Sequence, residues 1–440
     1  MRLNVFLLCL PFVLPGVASA NELLRIYELA QQNDTQLQAA DAKRQADIEV
    51  RPLAASAFLP QISGGYQRGR NYEDTTYNDT AKFGPSRHDV YTSSGLQASL
   101  NQTLFNWQAF QQLRQSDDQV ALAAASYNAA QQNLVLRVAT AYFNVLSTAD
   151  SLRSSQAEKA ALERQLDQSK QRFDVGLSAV TDVQDAQARY DLTSASQIQA
   201  QQALENAKEA LAVITGTPIT QITTLQDDFP LPGPIPDNVD NWVESAKQGN
   251  FDLLTAQLQA EISKRGIDVA WAKHLPTLGL LGQYSDGQQG GLFGAQQTRK
   301  QIQVQLTVPI FSGGATQSGV RQARFTHEQY LAQYEGQKRI TVQQTRNAYL
   351  GVIAGAARVK ALKQAVLSNT TALDASETGL QVGTRTAVDV LNAEQLLYSA
   401  QRDYYKSRYD YLLSVLQLKA ASGKLTMQDL TEVDRLLING

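Results

Sequence analysis

The sequence predicts a mixed α and β membrane protein made of two tandem repeats, each with two barrel-type strands and long helices. Three observations carry that prediction. The chain is written twice in one register, two segments, one in each half, alternate apolar with uncharged polar residues, and two very long stretches contain almost no helix breaker.

The chain opens with Met1 and Arg2, runs through an apolar stretch from Val5 to Val17 and reaches Ala18-Ser19-Ala20. A basic start, a short apolar core and an A-x-A site predict a secretory signal peptide over 1–20. Pro11 and Pro15 interrupt the stretch, and it is too short to serve as a membrane anchor. Cys9, the single cysteine, lies inside it. The mature chain is therefore expected to lack disulfides, thiolate metal ligands and a cysteine nucleophile. A formal net charge of −3 gives no basic balance to support nucleic-acid binding. Mean hydropathy is −0.30, and no later segment has eighteen consecutive apolar residues, which argues against transmembrane helices. A β-barrel stays open, because alternating strands leave little hydropathy signal.

The repeat is the strongest internal signal. Tyr142 corresponds to Tyr349, Gly176 to Gly383, Asp182 to Asp389, Ala186 to Ala393 and Gly216 to Gly423, each pair 207 positions apart. An ungapped register over about 75 residues is unlike chance similarity between helices. Upstream, Leu59-Pro60 matches Leu275-Pro276 and Leu104-Phe105 matches Ile310-Phe311 with small shifts. The expected organisation is repeat one over 21–216, a linker over 217–241, repeat two over 242–423 and a short C-terminal segment over 424–440. Pro218, Pro230, Pro232, Pro234 and Pro236 mark the linker, which cannot continue a helix.

Each repeat begins with a predicted helix, about 35–56 in the first and 252–273 in the second. A Leu-Pro pair ends each, since the residue before proline is pushed out of the α region. Two strands follow. Ile302, Val304, Leu306, Val308 and Ile310 alternate with Gln301, Gln303, Gln305 and Thr307, and Leu96, Ala98, Leu100 and Leu104 with Gln97, Ser99, Asn101 and Thr103. Shorter strands are predicted at 62–66 and 278–284, with polar loops at 69–92 and 286–299. Period-two alternation describes a strand with one apolar and one wet face. A soluble sheet over a core would alternate too, but uncharged glutamine at successive wet positions favours lipid outside and water inside. Four strands cannot close a barrel, whose smallest known forms have about eight, so an oligomer must pool them.

Long helices come next, over 112–173 and 181–214, and again over 319–380 and 387–421. At 1.5 Å per residue the first pair is roughly 90 Å and 50 Å long. Val359, Val366, Leu373 and Leu380 recur at intervals of seven, as do Leu391, Tyr398, Tyr405 and Leu412, with Leu397, Tyr404, Tyr411 and Leu418 on an adjacent line. Two neighbouring seams on one helix fit contact on both sides, as a cylinder of helices needs.

The two helix–helix turns read Arg172-Phe-Asp-Val-Gly-Leu-Ser-Ala-Val-Thr-Asp-Val183 and Leu380-Gln-Val-Gly-Thr-Arg-Thr-Ala-Val-Asp-Val-Leu391. With the tandem helix–strand–strand–helix–helix plan and the Leu-Pro pairs, they make the chain resemble the TolC family of outer-membrane factors over essentially its whole mature length. The resemblance implies a homotrimer of twelve pooled strands among outer-membrane lipid, continued by an α-helical barrel in the periplasm. It implies a passive exit duct for efflux or type I secretion, docked to a periplasmic membrane-fusion adaptor and an inner-membrane transporter. It places Asp389 in a ring of carboxylates at a closed entrance, and Asn392, where the family has a second aspartate, in an uncharged ring. It makes Arg385 a latch between hairpins, through positions matching Thr181 and Asp182. The family's latch tyrosine is here Leu380. The turns themselves, Val175, Gly176 and Leu177 with Val382, Gly383 and Thr384, become the adaptor-docking tips.

Each of these residues also has a purely structural reading. Thr386 to Asp389 is capping-box spacing, Asp182 is a first-turn carboxylate facing a helix dipole, and Gly176 and Gly383 suit helix C′ positions. No enzyme signature appears: His88, His274 and His327 are scattered, and glycine-rich 287–294 reads as a loop between strands. No cofactor or metal is expected. The competing non-channel reading is a periplasmic coiled-coil scaffold or adaptor, a class that usually lacks alternating membrane strands.

Overall fold

The computed structural model describes residues 22–438, apart from 77, 79–81, 83–84, 86, 220–222, 228 and 291–293. The predicted signal peptide and Cys9 lie outside the described residues. In chain order the elements are α1 (Glu22–Asn33), α2 (Thr35–Ile48), α3 (Val50–Ser56), β1 (Gln61–Thr75), β2 (Arg87–Asn106), α4 (Trp107–Asp174), α5 (Val180–Thr215) and β3 (Thr224–Leu225). The second half supplies α6 (Val239–Gly249), α7 (Phe251–Trp271), β4 (Thr277–Gln289), β5 (Ala295–Thr307), α8 (Ala315–Gln381), α9 (Ala387–Ala421), α10 (Met427–Asp434) and β6 (Leu437–Ile438).

The chain divides into two compact units. One consists of Asp41–Tyr127 and Asp252–Lys338; the other takes the chain up to Ala40, Asn128–Phe251 and Arg339 onward.

The first unit holds the four-stranded sheet, antiparallel throughout in the order β1-β2-β4-β5. Its register sorts the side chains by face, because successive residues on a strand point to opposite sides. One face carries Ile62 and Tyr66 of β1, Leu96 and Leu100 of β2, Leu278, Leu280 and Tyr284 of β4, and Ile302, Val304 and Leu306 of β5. Ile302 is 82% exposed and Leu306 64%, so along β5 no described residue covers this face. The polar exception, Gln102 opposite Leu280, turns its amide nitrogen onto the Phe58 and Thr103 carbonyls. The other face carries Gln61, Ser63, Gln97, Ser99, Asn101, Gln283, Gln301, Gln303 and Gln305, with Leu281 its apolar exception. No charge appears among these wet-face residues.

The strands run further than their alternation predicts. β1 reaches Thr75 and β2 begins at Arg87, so most of the loop expected at 69–92 is paired strand. Likewise β4 extends to Gln289 and β5 starts at Ala295, which puts Gly287 inside a strand and leaves 290–294 between strands. β5 stops at Thr307, so Val308 and Ile310 lie outside it. Pro309 supplies no N–H to a ladder, and Gly313 and Gly314, at φ +60° and +82°, turn the chain into α8.

The helical unit shows the repeat in three dimensions. The helix expected at 35–56 is interrupted at Glu49 into α2 and α3, and short helices precede the main elements in both repeats: α1, and α6, which begins at the end of the expected linker and runs into the second repeat. Each is tied to the end of its repeat's last long helix. Asn33 Nδ2 donates to the Thr215 carbonyl at 3.0 Å, and Asn250 Nδ2 to that of Ala421 at 3.1 Å. Gly216 and Gly423, one repeat apart, sit at φ +71° and +70°. A Cβ on Gly423 would fall 2.0 Å from the Gly249 carbonyl oxygen, and one on Gly216 would fall 3.0 Å from the Asn33 Cβ. Glycine is needed there both for the left-handed turn and for the approach.

The equivalent tyrosines behave alike. Tyr142 and Tyr349 anchor the segment between the repeats through Thr223 and through Asp237, the latter at 2.8 Å. Asp34 is 3% exposed; it caps α2 by accepting from the Leu37 amide at 2.7 Å and receives both ends of the Arg137 guanidinium at 2.8 and 2.9 Å. Burial alone would raise its pKa, but those donors outweigh burial and hold the carboxyl below the usual range. Arg408, 2% exposed, packs against the rings of Tyr404, Tyr405 and Tyr409 and faces Asp150 at 3.7 Å. The heptad line Leu397, Tyr411 and Leu418 is buried within one chain. No helix among the described residues is long and apolar enough to cross a membrane.

Candidate functional site

The site expected from the sequence is the pair of helix–helix turns at one end of the helical unit. In the first, α4 closes through Gly176 at φ +76°, with the Leu177 amide donating to the Arg172 carbonyl at 2.7 Å and that of Gly176 to Phe173 at 2.9 Å. In the second, Gly383 sits at φ +80°, and the Thr384 amide donates to the Gly379 carbonyl at 2.8 Å. Both are Schellman closures, which a left-handed glycine makes possible. The turns leave Val175, Leu177 and Val382 about 70% exposed, with Gly176, Gly383 and Thr384 also at the surface. Apolar side chains held out on rigid turns are an available protein contact.

Asp389 forms the complete capping box of α9. Its Oδ2 accepts from the Thr386 amide at 2.9 Å and hydroxyl at 2.8 Å, while its own amide donates back to Thr386 Oγ1 at 3.2 Å. The Thr386 amide and hydroxyl hold its carboxyl below the ordinary aspartate range. The first-repeat turn has no such box: α5 is capped by Ala179, and the side chains of Thr181 and Asp182 make no hydrogen bond or ion pair among the described residues.

Arg385 and Asp182 are not brought together within the chain. A Cβ on Gly379 would lie 2.5 Å from Arg385 Cγ, so the arginine stem is folded onto the last turn of α8. Its stem thus packs at the carbonyl end of α8, where a cation is favoured, and its charge also helps hold the Asp389 carboxyl ionised. That location gives Arg385 a local role that counting from the start of α9 does not suggest. Leu380 is half-buried in the same turn.

Several side-chain contacts join the repeats deeper in the helices, the nearest to the turns being those of Arg189. Arg189 of α5 donates to Asn392 Oδ1 at 3.0 Å and Gln395 Oε1 at 2.6 Å on α9. Arg402 of α9 pairs with Glu158 of α4 at 2.7 Å. Between them is a groove of about 500 Å³ lined by Ser155, Glu158, Arg189, Thr193, Glu394 and Arg402 among others. Glu394 is 5% exposed, and its Oε2 has no hydrogen-bond partner. Burial, then the charge of Glu377, pushes its pKa up to about 7; Arg164 opposes the shift and Glu158 adds to it. Neither Arg189 nor Glu394 stands out in the sequence, because a charged residue on an amphipathic helix reads as solvated surface. Among the described residues, no group of three or more His, Cys, Asp and Glu side chains could hold a metal ion.

The model of the outer membrane efflux protein family matches residues 26–217 and 242–424, one block in each half. The chain is 38% identical to outer membrane protein TolC of Vibrio cholerae, covering 94% of this chain and 93% of that one. It is 35% identical to TolC of Escherichia coli (96% and 86% covered) and 30% identical to the alkaline protease secretion protein AprF of Pseudomonas aeruginosa (96% and 89%). Among solved structures, the outer membrane protein VceC of Vibrio cholerae superposes with a TM-score of 0.75 at 20% identity, covering 91% of this chain and 96% of that one. The CmeC outer membrane channel of Campylobacter jejuni gives 0.78 at 17%, covering 94% and 90%. At these identities the structures speak for the fold, and the sequence matches speak for kinship: the chain belongs to the outer membrane efflux protein family.

Proposed function

We propose that this protein is a passive exit duct in the outer membrane, shared by efflux and type I secretion, with the hairpin turns as its periplasmic entrance. One observation carries the reading: a sheet with an uncovered apolar face and an uncharged glutamine and serine face, from a chain too short of strands to close alone. Three copies pool twelve strands, placing the apolar faces against lipid and the glutamine faces around water. The relatives' names support transport of two kinds, since AprF is a secretion protein while the family model describes efflux. The exposed valines and leucine of the turns support docking of a periplasmic adaptor that couples the duct to an inner-membrane transporter. In this reading Asp389 narrows the entrance, and Asn392, held by Arg189, adds no charge beside it.

The test is assembly and conduction together. Light scattering in detergent should give three times the 48.2 kDa of the chain, less the leader, and the purified protein should open discrete channels in a planar bilayer. A stable monomer that conducts would overturn the pooled barrel, and a trimer extracted without detergent and silent in bilayers would favour a periplasmic scaffold.

A further inference from the structure

The outward face of the sheet continues past its apolar residues. On β1, Ile62, Gly64 and Tyr66 are followed toward the hairpin turn by Arg68, Arg70 and Tyr72; on β5, Leu306, Val304 and Ile302 are followed by Lys300. On the inner strands Leu96 gives way to Ser94, and Tyr284 to Asp286. The first outward side chain beyond the apolar band is therefore cationic on both edge strands and on neither inner strand. Asp286 already accepts from Thr298 Oγ1 at 3.0 Å, and Asp74 is paired with His88. Arg68, Arg70 and Lys300 are exposed and have no ion pair among the described residues. Arg70 lies 5.7 Å from the ring of Tyr72, and Lys300 lies 6.0 Å from that of Tyr284.

An outward cation is costly in hydrocarbon and nearly free at the headgroup level, where tyrosine is also enriched. A cation left there without a protein partner is matched by a headgroup anion, and guanidinium and ammonium both bind phosphate well. We propose that Arg68, Arg70 and Lys300, flanked by Tyr66, Tyr72 and Tyr284, form a site for the phosphates of a phosphorylated lipid in the outer leaflet. The inference rests on the pooled, lipid-facing barrel. In that barrel β5 of one copy adjoins β1 of the next, so the cations of both edges gather at each seam and the bound lipid bridges two copies.

Native mass spectrometry of the detergent-solubilised protein, titrated with bisphosphorylated lipid A and with its phosphate-free counterpart, tests this. The wild type should retain the phosphorylated lipid and release the other. R68Q/R70Q/K300Q should remain trimeric and bind the phosphorylated lipid at least about tenfold more weakly. Equal retention by the triple variant, or of the phosphate-free lipid by the wild type, would overturn the site. Full displacement by millimolar inorganic phosphate would reduce it to a simple anion site and overturn the lipid assignment. Planar-bilayer conductance separates the two levels: a variant that conducts normally with unchanged lipid binding sinks this inference alone, whereas a wild type that never inserts sinks the barrel beneath it.

Discussion

Asp389 carries one role the structure shows and one proposed for it, both on the same carboxylate. Its capping box with Thr386 satisfies amides at the start of α9, and those donors favour the charged form. A carboxylate already held ionised is suited to attract cations if three copies bring it to one ring. Asp389→Asn should therefore abolish block of conductance by trivalent hexaamminecobalt while the trimer persists. Asparagine can still accept the Thr386 amide, so the change should cost stability only at the level of a weakened cap, about 0.5–1 kcal/mol. Block that survives the substitution would leave Asp389 as a cap alone. Glu394 poses the opposite case, a carboxylate that its surroundings do not want charged. Its folded pKa of about 7 lies above its ordinary value of 4.5. The folded state then binds more protons than the unfolded state between those values, and stability falls as pH rises through that window. Above pH 7 the loss is complete, of the order of 3 kcal/mol for a shift of this size. The pKa of Asp34 is lowered, so its contribution is lost only at more acidic pH, outside the window. Glu394→Gln should thus raise the melting temperature at pH 8 and leave it nearly unchanged at pH 4.5. An effect of equal size at both values would show that packing, and not charge, governs the position.

At the scale of elements, the sheet makes its claim through neighbours that face opposite ways. Val304 and Gln303 are adjacent on β5, yet the register places one on the apolar face and the other on the glutamine face. Val304→Arg should cost about 2–4 kcal/mol of folding into bilayers, the penalty for a cation near the lipid mid-plane. Gln303→Arg should fold normally and shift ion selectivity toward anions. Similar folding losses for both would mean that neither face sees lipid. This division also explains what alternation could reveal. Apolar alternation marks only the part of a strand that touches lipid, so past Tyr66 and before Leu96 both faces turn polar and paired strand looks like loop. The long helices were legible to within about five residues at their starts and one at their ends, because Gly176 and Gly383 close them with a conformation few other residues adopt. The short helices were not: α1 follows closely on the apolar N-terminal stretch, and α6 begins only three residues after Pro236, the last of five prolines that dominate the reading of that region. Within the site, the turns were legible for the same glycine reason. The groove around Glu394 was not, since its members come from α4, α5 and α9 and meet only through tertiary packing.

At the scale of the whole molecule, the question is whether a tie between the turns holds the proposed entrance shut. Within one chain Arg385 folds back onto α8, and Asp182 makes no ion pair among the described residues, so the proposed tie between them is placed between copies. Both residues are near the surface of their turns, which leaves each able to meet a neighbour in the trimer. An exposed pair of this kind contributes only about 0–1 kcal/mol. Three such ties around a trimer would act together on a two-state entrance, however, and their sum would move the balance of open and closed forms appreciably. Arg385→Ser should then raise single-channel conductance and let large antibiotics leak inward, and Asp182→Ala should do the same. Because both changes break one interaction, the double variant should be less than additive. The local role of Arg385 at the end of α8 provides a built-in contrast. If that role is all the arginine does, Arg385→Ser lowers helix stability by a few tenths of a kcal/mol while Asp182→Ala leaves conductance alone. Normal conductance in both single variants would remove the latch and turn attention to the inter-repeat ties that the chain does form, from Arg189 to Asn392 and Gln395. Those ties join α5 to α9 just below the turns, and breaking them with Arg189→Ala would be the next way to ask whether the two hairpins move as one.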